Sequence, residues 1–428
     1  TNAVHGPDQL RQRVAFALGQ IWVVSAARLN QARMLVPYLR LLHANAFSNY
    51  RTLMEEVTLS PAMGRYLDMV NNAKPPANSQ MRANENYARE IMQLFTIGTV
   101  KLNPDGSTVL DAGGQPVPTY TQADIEGLAR AFTGWTFPVQ PGQPPRATNP
   151  PYYSGRMVAW EANHDTGAKT LLDGYQLPAG QTAKQDLDAA LDHLFRHPNA
   201  GPFLAKRLIG ALVTSNPSPE YIARVAAAFD SDSQGKRGEL KNVIRAILLD
   251  PEARAGDSAA HAPRAGHLRE PVLYLIGLLR AVGDRVAEEN RLAAYASAMG
   301  QNLFYPPTVF NYFQLLNRIN AGGENLSAPE FEILTPSNAL ARVNVVDAVA
   351  YQRLSPSVTI DLVPWMNLAS VHKWYLTEAL NRSLLYGRMT EEMRDKILIA
   401  LDAGADAGVR AQAALYLVAS SPLYQVQQ

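Results

Sequence analysis

The side chains best suited to chemistry gather in two short stretches. The first is Asn84-Glu85-Asn86-Tyr87-Ala88-Arg89-Glu90, at the start of a helix expected over 84–97. Glu85 and Arg89 stand at i and i+4, so they share a face and can pair, whereas Glu90 at i+5 is turned by about 140°. Two carboxylates in one pocket do acid and base work when their surroundings push their pKa values apart. The alternative is a structural Glu85–Arg89 ion pair, with Asn84 capping the helix. Asn71, Asn72, Asn84 and Asn86 crowd the same loop and helix start. Such a density of polar oxygens can hold a sugar or a divalent cation, and a cation would turn Glu85 from acid into ligand.

The second stretch is His164-Asp165, in a loop ahead of Lys169. A loop His beside a carboxylate can act as general base on water or a hydroxyl; the alternative is a His that caps a turn. Together, Glu85, Arg89, Glu90, His164 and Asp165 are the expected catalytic residues. Asn72, Asn84, Asn86, Lys169, Trp135 and Tyr305 are the expected substrate contacts. Tyr305 lies with Phe304, Phe310, Tyr312 and Phe313 near Pro306-Pro307. These rings fit either a sugar-stacking platform or packing beneath a long loop.

Other patterns fall short. His193 and His197 have metal-binding spacing, but Leu194 stands where a zinc protease carries Glu, and no metal ligand is assigned. Asn103, Asp105, Ser107 and Asp111 imitate a calcium loop, yet Thr108 replaces its glycine and Gly114 its final glutamate. No nucleophile elbow, phosphate loop or dinucleotide fingerprint occurs. Lys206-Arg207 and Lys236-Arg237 read as solvated helix ends. The sequence requires no cofactor.

The chain that must position these groups has 428 residues, 39 basic against 38 acidic, for a formal charge of +1. That balance removes the electrostatic basis for binding nucleic acid or an anionic membrane. A hydrophobic content of 47% and a charged content of 18% describe a soluble protein with a sizeable core. Cysteine is absent, which excludes disulfides, thiolate metal sites and a Cys nucleophile. The most apolar run, 14–27, is broken by Gly19, Gln20 and Ser25 and is too short to span a bilayer. The chain opens at Thr1 without a basic region or apolar core, so a leader or longer N-terminal region is expected ahead of it.

Apolar spacing predicts helices over 9–28, 31–47, 50–57, 61–70, 84–97 and 121–132, then from 182 to 248. Further helices are expected over 267–282, 288–299 and from 339 to the end, with Pro364 as an interruption. Ser60-Pro61 is a helix start, and Thr121 caps with Asp124 three residues on. Two small hairpins are expected, over 101–117 and around Asp173-Gly174. The expectation is a mainly α fold with two β-hairpin insertions. It forms one large domain over 1–428, with an irregular insertion at 138–180 and a loop-rich segment at 302–336.

Several segments carry a family resemblance. Asn84 to Glu90 runs on to Phe95-Thr96-Ile97-Gly98, followed by Tyr120-Thr-Gln-Ala-Asp124 and Thr133-Gly134-Trp135. His164-Asp-Thr-Gly-Ala-Lys169, His197-Pro198, Lys206-Arg207-Leu208, Arg269-Glu270-Pro271 and Pro306-Pro-Thr-Val309 complete the pattern. This chain resembles the bacterial family catalogued as domain of unknown function 1800, over most of its length. The resemblance implies export to the periplasm or beyond, and a neighbouring partner protein similar to sulfatases. Gln93 and Phe95 depart from the Glu and His that the family often carries there. Two functions compete: an exported enzyme acting on an envelope or extracellular polymer, polysaccharide above all, or a non-catalytic scaffold that docks the sulfatase-like partner.

Overall fold

The computed structural model of the chain describes residues 2–77, 79–255, 265–286 and 290–427. Helices dominate, and among the described residues every sheet has two strands, so the fold is mainly α with small β insertions. Among these residues no helix is long and apolar enough to cross a membrane. The chain forms two compact units. An N-terminal unit comprises Leu10–Leu212 with Pro217–Leu249; a C-terminal unit comprises Thr1–Gln9, Val213–Asn216 and Asp250–Gln428.

The N-terminal unit is built on helices with explicit start signals. The Gln122–Ala131 and Ala183–Arg196 helices both open with capping boxes, Thr121 with Asp124 and Thr182 with Gln185. Asn49 caps Tyr50–Thr58, its side chain accepting from Arg51 N at 2.9 Å. Pro61 opens the Pro61–Tyr66 helix, although the Ser60 side chain makes no capping bond. The aromatic core includes Trp22 and Phe95, with ring centroids 4.6 Å apart, and Tyr50 against Phe229 at 5.9 Å. The helix expected over 9–28 stops at Ile21.

The segment expected as one helix over 84–97 is two. An α-helix runs Asn86–Glu90, and a π-helix follows over Ile91–Thr96. Its wider turns bring carbonyls at its end to side chains from elsewhere in the unit. Tyr50 Oη donates to Phe95 O, and Arg207 Nη2 donates to Leu94 O at 3.3 Å. Asn199 Nδ2 donates to Ile97 O at 2.9 Å and Val100 O at 2.7 Å. Arg207 is therefore no solvated helix end: its guanidinium is withdrawn from water, and burial pulls its pKa down to about 10.

Both expected hairpins are present. The first closes through bridges Leu102–Thr108 and Leu110–Pro116. The second pairs Lys169–Thr170 with Gln176–Leu177, and Asp173 and Gly174 turn it at φ 53° and 74°. A further pair joins Trp135–Thr136 to Val158–Ala159. Gly134 precedes it at φ 89°, where a Cβ would lie 2.8 Å from that of His164. Only glycine lets the two segments approach so closely.

The C-terminal unit packs the Pro271–Val282, Pro336–Ala350, Lys373–Leu385 and Ala407–Ser420 helices around Leu278, Val346, Leu380 and Val418. The helix expected from His267 starts at Pro271; His267–Leu268 is instead a strand paired with Val426–Gln427. The start expected at Glu288 lies outside the described residues, and a helix is described over Asn290–Ala298. Pro364 does not interrupt a helix but sits in the first turn of Val363–Val371, where its missing N–H costs nothing. Within the loop-rich segment, Arg318–Ala321 and Glu324–Ser327 form a hairpin around Gly322-Gly323, which the sequence reading did not separate from its loop.

Candidate functional site

Glu85 and Arg89 pair as their spacing requires, with Arg89 Nη2 3.0 Å from Glu85 Oε2. Gln122 Nε2 donates to the same oxygen at 2.9 Å, and Arg82 pairs with Glu126 on the neighbouring helix. The Glu85 and Arg89 side chains are 22% and 40% exposed, so this is a solvated face. Such pairs contribute little. Glu85→Gln should lower stability by no more than about 0.5 kcal/mol in urea titration.

Glu90 has the opposite environment. It is 8% exposed, and its Oε2 is buried without a hydrogen-bond partner. Burial pushes its carboxyl above the ordinary glutamate value, and only the Arg89 guanidinium pulls against that shift. Burial raises the phenols of Tyr66 and Tyr120, and the Glu90 charge adds a smaller contribution to both. Glu90 is the last residue before the π-helix, a feature frequent at functional sites.

Asp68 joins this face and was missed in the sequence. Asn86, one turn ahead of Glu90 on the same helix face, donates from Nδ2 to Asp68 Oδ2 at 3.5 Å. Arg28 forms an ion pair with Asp68. Asp68 and Asn71 hold φ of 60° and 61°, a sparsely populated region for non-glycine residues. The asparagines form the adjoining rim. Asn72 Oδ1 accepts from Asn84 N at 2.9 Å and its Nδ2 donates to Asn84 O at 3.1 Å, while Asn84 Oδ1 accepts from Asn86 N at 2.9 Å. No sequence signal marks Asp68, because its partners Arg28 and Asn86 stand 40 and 18 residues away.

His164 and Asp165 do not serve each other. The His164 ring is fully buried, with Nε2 3.0 Å from Asp186 Oδ2 and Nδ1 3.0 Å from Thr133 O. Lys169 is fully buried as well, its Nζ 2.6 Å from the same Asp186 oxygen. That ammonium also donates to Asp165 O and, at 2.9 Å, to Gly167 O, so three acceptors surround it. Asp165 turns to Arg130, bidentate at 2.7 and 3.1 Å, and its own Oδ1 accepts from Gly167 N. A general base must reach its substrate; this imidazole is sealed in the core, and of the two alternatives for His164 the geometry favours the structural one, within a buried polar network. Its central member, Asp186, sits in the first turn of the Ala183–Arg196 helix, a residue not singled out in the sequence. Lys169 is likewise no substrate contact, and Trp135 is 4% exposed with its Nε1 unpartnered. Tyr305 belongs to the C-terminal unit and is 47% exposed.

His193 and His197 do not converge. His193 stacks on Tyr175 at 4.4 Å and meets Leu172 O at 2.9 Å through Nε2. His197 ends that helix, and its Nδ1 accepts from Asn199 N at 3.0 Å. Among the described residues no three His, Asp or Glu side chains are grouped to hold a metal ion. Burial, opposed by Asp173, pulls the His197 pKa from 6.5 to about 4. Between those values the unfolded chain binds the proton and the folded chain does not, so stability is lost as pH falls through that window. Urea midpoints taken from pH 7 to 4 should show the loss, and His197→Asn should remove that component of the slope.

A family model described as protein of unknown function (DUF1800) matches residues 1–426. No curated protein and no solved structure matches the chain.

Proposed function

The chain belongs to the DUF1800 family, and from that premise we propose that it is an exported enzyme that cleaves a neutral polysaccharide, with Glu90 as its general acid. The observation that carries this reading is the Glu90 carboxyl itself: nearly buried, lacking a partner at Oε2, and raised in pKa. A carboxyl that keeps its proton to higher pH than an ordinary glutamate is what protonation of a leaving oxygen needs. Asp68, paired with Arg28 and hydrogen-bonded by Asn86, which stands one turn ahead of Glu90, would supply the second carboxylate. In a glycosidase such a pair divides the work: the acid protonates the bridging oxygen, and the carboxylate activates water or attacks the sugar carbon. Asn72, Asn84 and Asn86 offer neutral donors and acceptors at the rim, suited to hydroxyl groups. Export to the periplasm or beyond is part of the proposal and rests on the family resemblance.

The test is release of reducing ends from a panel of neutral polysaccharides by wild type, Glu90→Gln and Asp68→Asn. Turnover by the wild type that both variants lose, with circular dichroism unchanged, supports the assignment. Turnover retained by Glu90→Gln removes Glu90 from the chemistry.

A second reading is a scaffold that docks a sulfatase-like protein. It draws on exposed apolar side chains of the C-terminal unit, among them Val363 at 59%, Val371 at 71%, Trp374 at 42% and Ile399 at 70%. Co-sedimentation with that protein, abolished by Val371→Asp, would favour it over the enzyme.

A further inference from the structure

The segment from Asn302 to Asn317 in the C-terminal unit holds no Asp, Glu, Lys or Arg. Three of its aromatic rings are in water: Phe304 is 42% exposed, Tyr305 47% and Phe310 49%. None of the three stacks on another ring among the described residues. The reading of this segment as packing beneath a loop accounts for Phe313, which is 7% exposed, but not for these three.

The loop is built to keep them there. Tyr312 Oη donates to Asn302 O at 2.6 Å and Tyr305 N donates to the same carbonyl at 2.9 Å, so one acceptor ties down the strip that carries two of the rings. A bridge between Thr308 and Asn311, with Phe310 N donating to Thr308 Oγ1 at 3.1 Å, shapes the turn that carries the third. Phe304 and Asn311 hold φ of 67° and 76°. For a bulky residue such as Phe304 that region is sterically unfavourable. Strain and exposed apolar area are both unfavourable, and a ligand that covers the rings recovers the second.

We propose that Phe304, Tyr305 and Phe310 form a binding face for a neutral sugar chain. The apolar C–H face of a pyranose stacks on an aromatic ring, while its hydroxyl edge needs neutral donors and acceptors. Asn302, Thr308 and Gln314, all exposed, flank the rings with such groups. A nucleic acid or an anionic lipid surface would need basic side chains, and the segment has none. A protein partner would favour an Arg among the aromatic anchors, and none is present. This inference rests on the enzymatic reading only for its ligand class; it uses no residue of the Glu90 site.

The full chain is titrated calorimetrically with hexaoses of β-1,4-glucose, β-1,3-glucose, β-1,4-N-acetylglucosamine, β-1,4-xylose and β-1,4-mannose. The wild type and Glu90→Gln should bind at least one, and Phe304→Ala/Tyr305→Ala/Phe310→Ala should weaken that binding by at least tenfold. If the triple variant loses its circular dichroism signal, Phe310→Ala alone should weaken binding by about threefold and Phe310→Trp should restore it. The proposal is overturned if no hexaose binds the wild type, or if removing the rings leaves binding unchanged. It is also overturned if sedimentation shows that the rings hold two copies of the chain together. Binding without turnover sinks the enzymatic reading alone; turnover with binding unaffected by the rings sinks this one alone.

Discussion

Asp186→Ala should lower stability by about 3–5 kcal/mol, enough to leave much of the chain unfolded at 37 °C. The carboxylate has Lys169 Nζ at 2.6 Å and His164 Nε2 at 3.0 Å, and all three side chains are wholly buried. Removing it leaves an ammonium in the core with only backbone carbonyls around it, and an imidazole with one ring nitrogen unpaired. Lys169→Met should cost a similar amount, because it leaves a buried carboxylate whose Oδ1 already lacks a partner. The double variant Lys169→Met/Asp186→Leu should recover part of the loss, since a pair of apolar groups carries no desolvation cost. Urea unfolding followed by circular dichroism measures all three. A single Asp186→Ala variant within 1 kcal/mol of wild type would mean that the network does not hold the fold.

Glu90→Gln should abolish turnover on a neutral polysaccharide by about 10²- to 10⁴-fold, the contribution of a positioned general acid. The fold should survive, and the pH dependence of stability separates this variant from a structural one. The folded-state pKa of Glu90 lies above the ordinary glutamate value because burial disfavours its charge. In the window between the unfolded and folded values the folded chain binds the proton and the unfolded chain does not, so ∂ΔG/∂pH is negative there. Stability from this group is therefore fully present below the unfolded value and lost as pH rises through the folded one. Gln carries no such proton. Glu90→Gln should be relatively more stable than wild type above that window, and the advantage should shrink as pH falls. A variant that loses stability at every pH would place Glu90 in the packing and not in the chemistry.

The two carboxylates of the Asn84–Glu90 stretch show how far spacing reaches. The i,i+4 relation put Glu85 and Arg89 on one face, and they pair there. The same geometry turned Glu90 away, and that difference separates a solvated glutamate from a nearly buried one. Helix starts were equally legible at Thr121, Thr182 and Pro61, because caps and first-turn prolines act within four residues. The Asp173-Gly174 turn was legible for the same local reason. The π-helix was not, since Tyr50 and Arg207 come from other elements to satisfy its carbonyls, and Asn199 those just beyond it. Which of its two alternatives His164 follows was not legible, because burial is a property of what packs over a loop, and Gly134 lets another segment close upon it.

The amino-acid sequence by itself determined the helical class, the two insertions, the absence of cysteine chemistry, the near-neutral charge and the family. These follow from composition, from periodicity and from contacts between residues a few positions apart. Only the tertiary structure decided which polar groups meet. Asp186 joins His164 and Lys169 in the core, Asp68 meets Arg28 and Asn86, and Phe304, Tyr305 and Phe310 stay in water. The physical reason is that desolvation and long-range pairing depend on three-dimensional neighbours. A carboxylate written beside an arginine becomes a solvated ion pair or a buried acid according to what the rest of the chain lays against it.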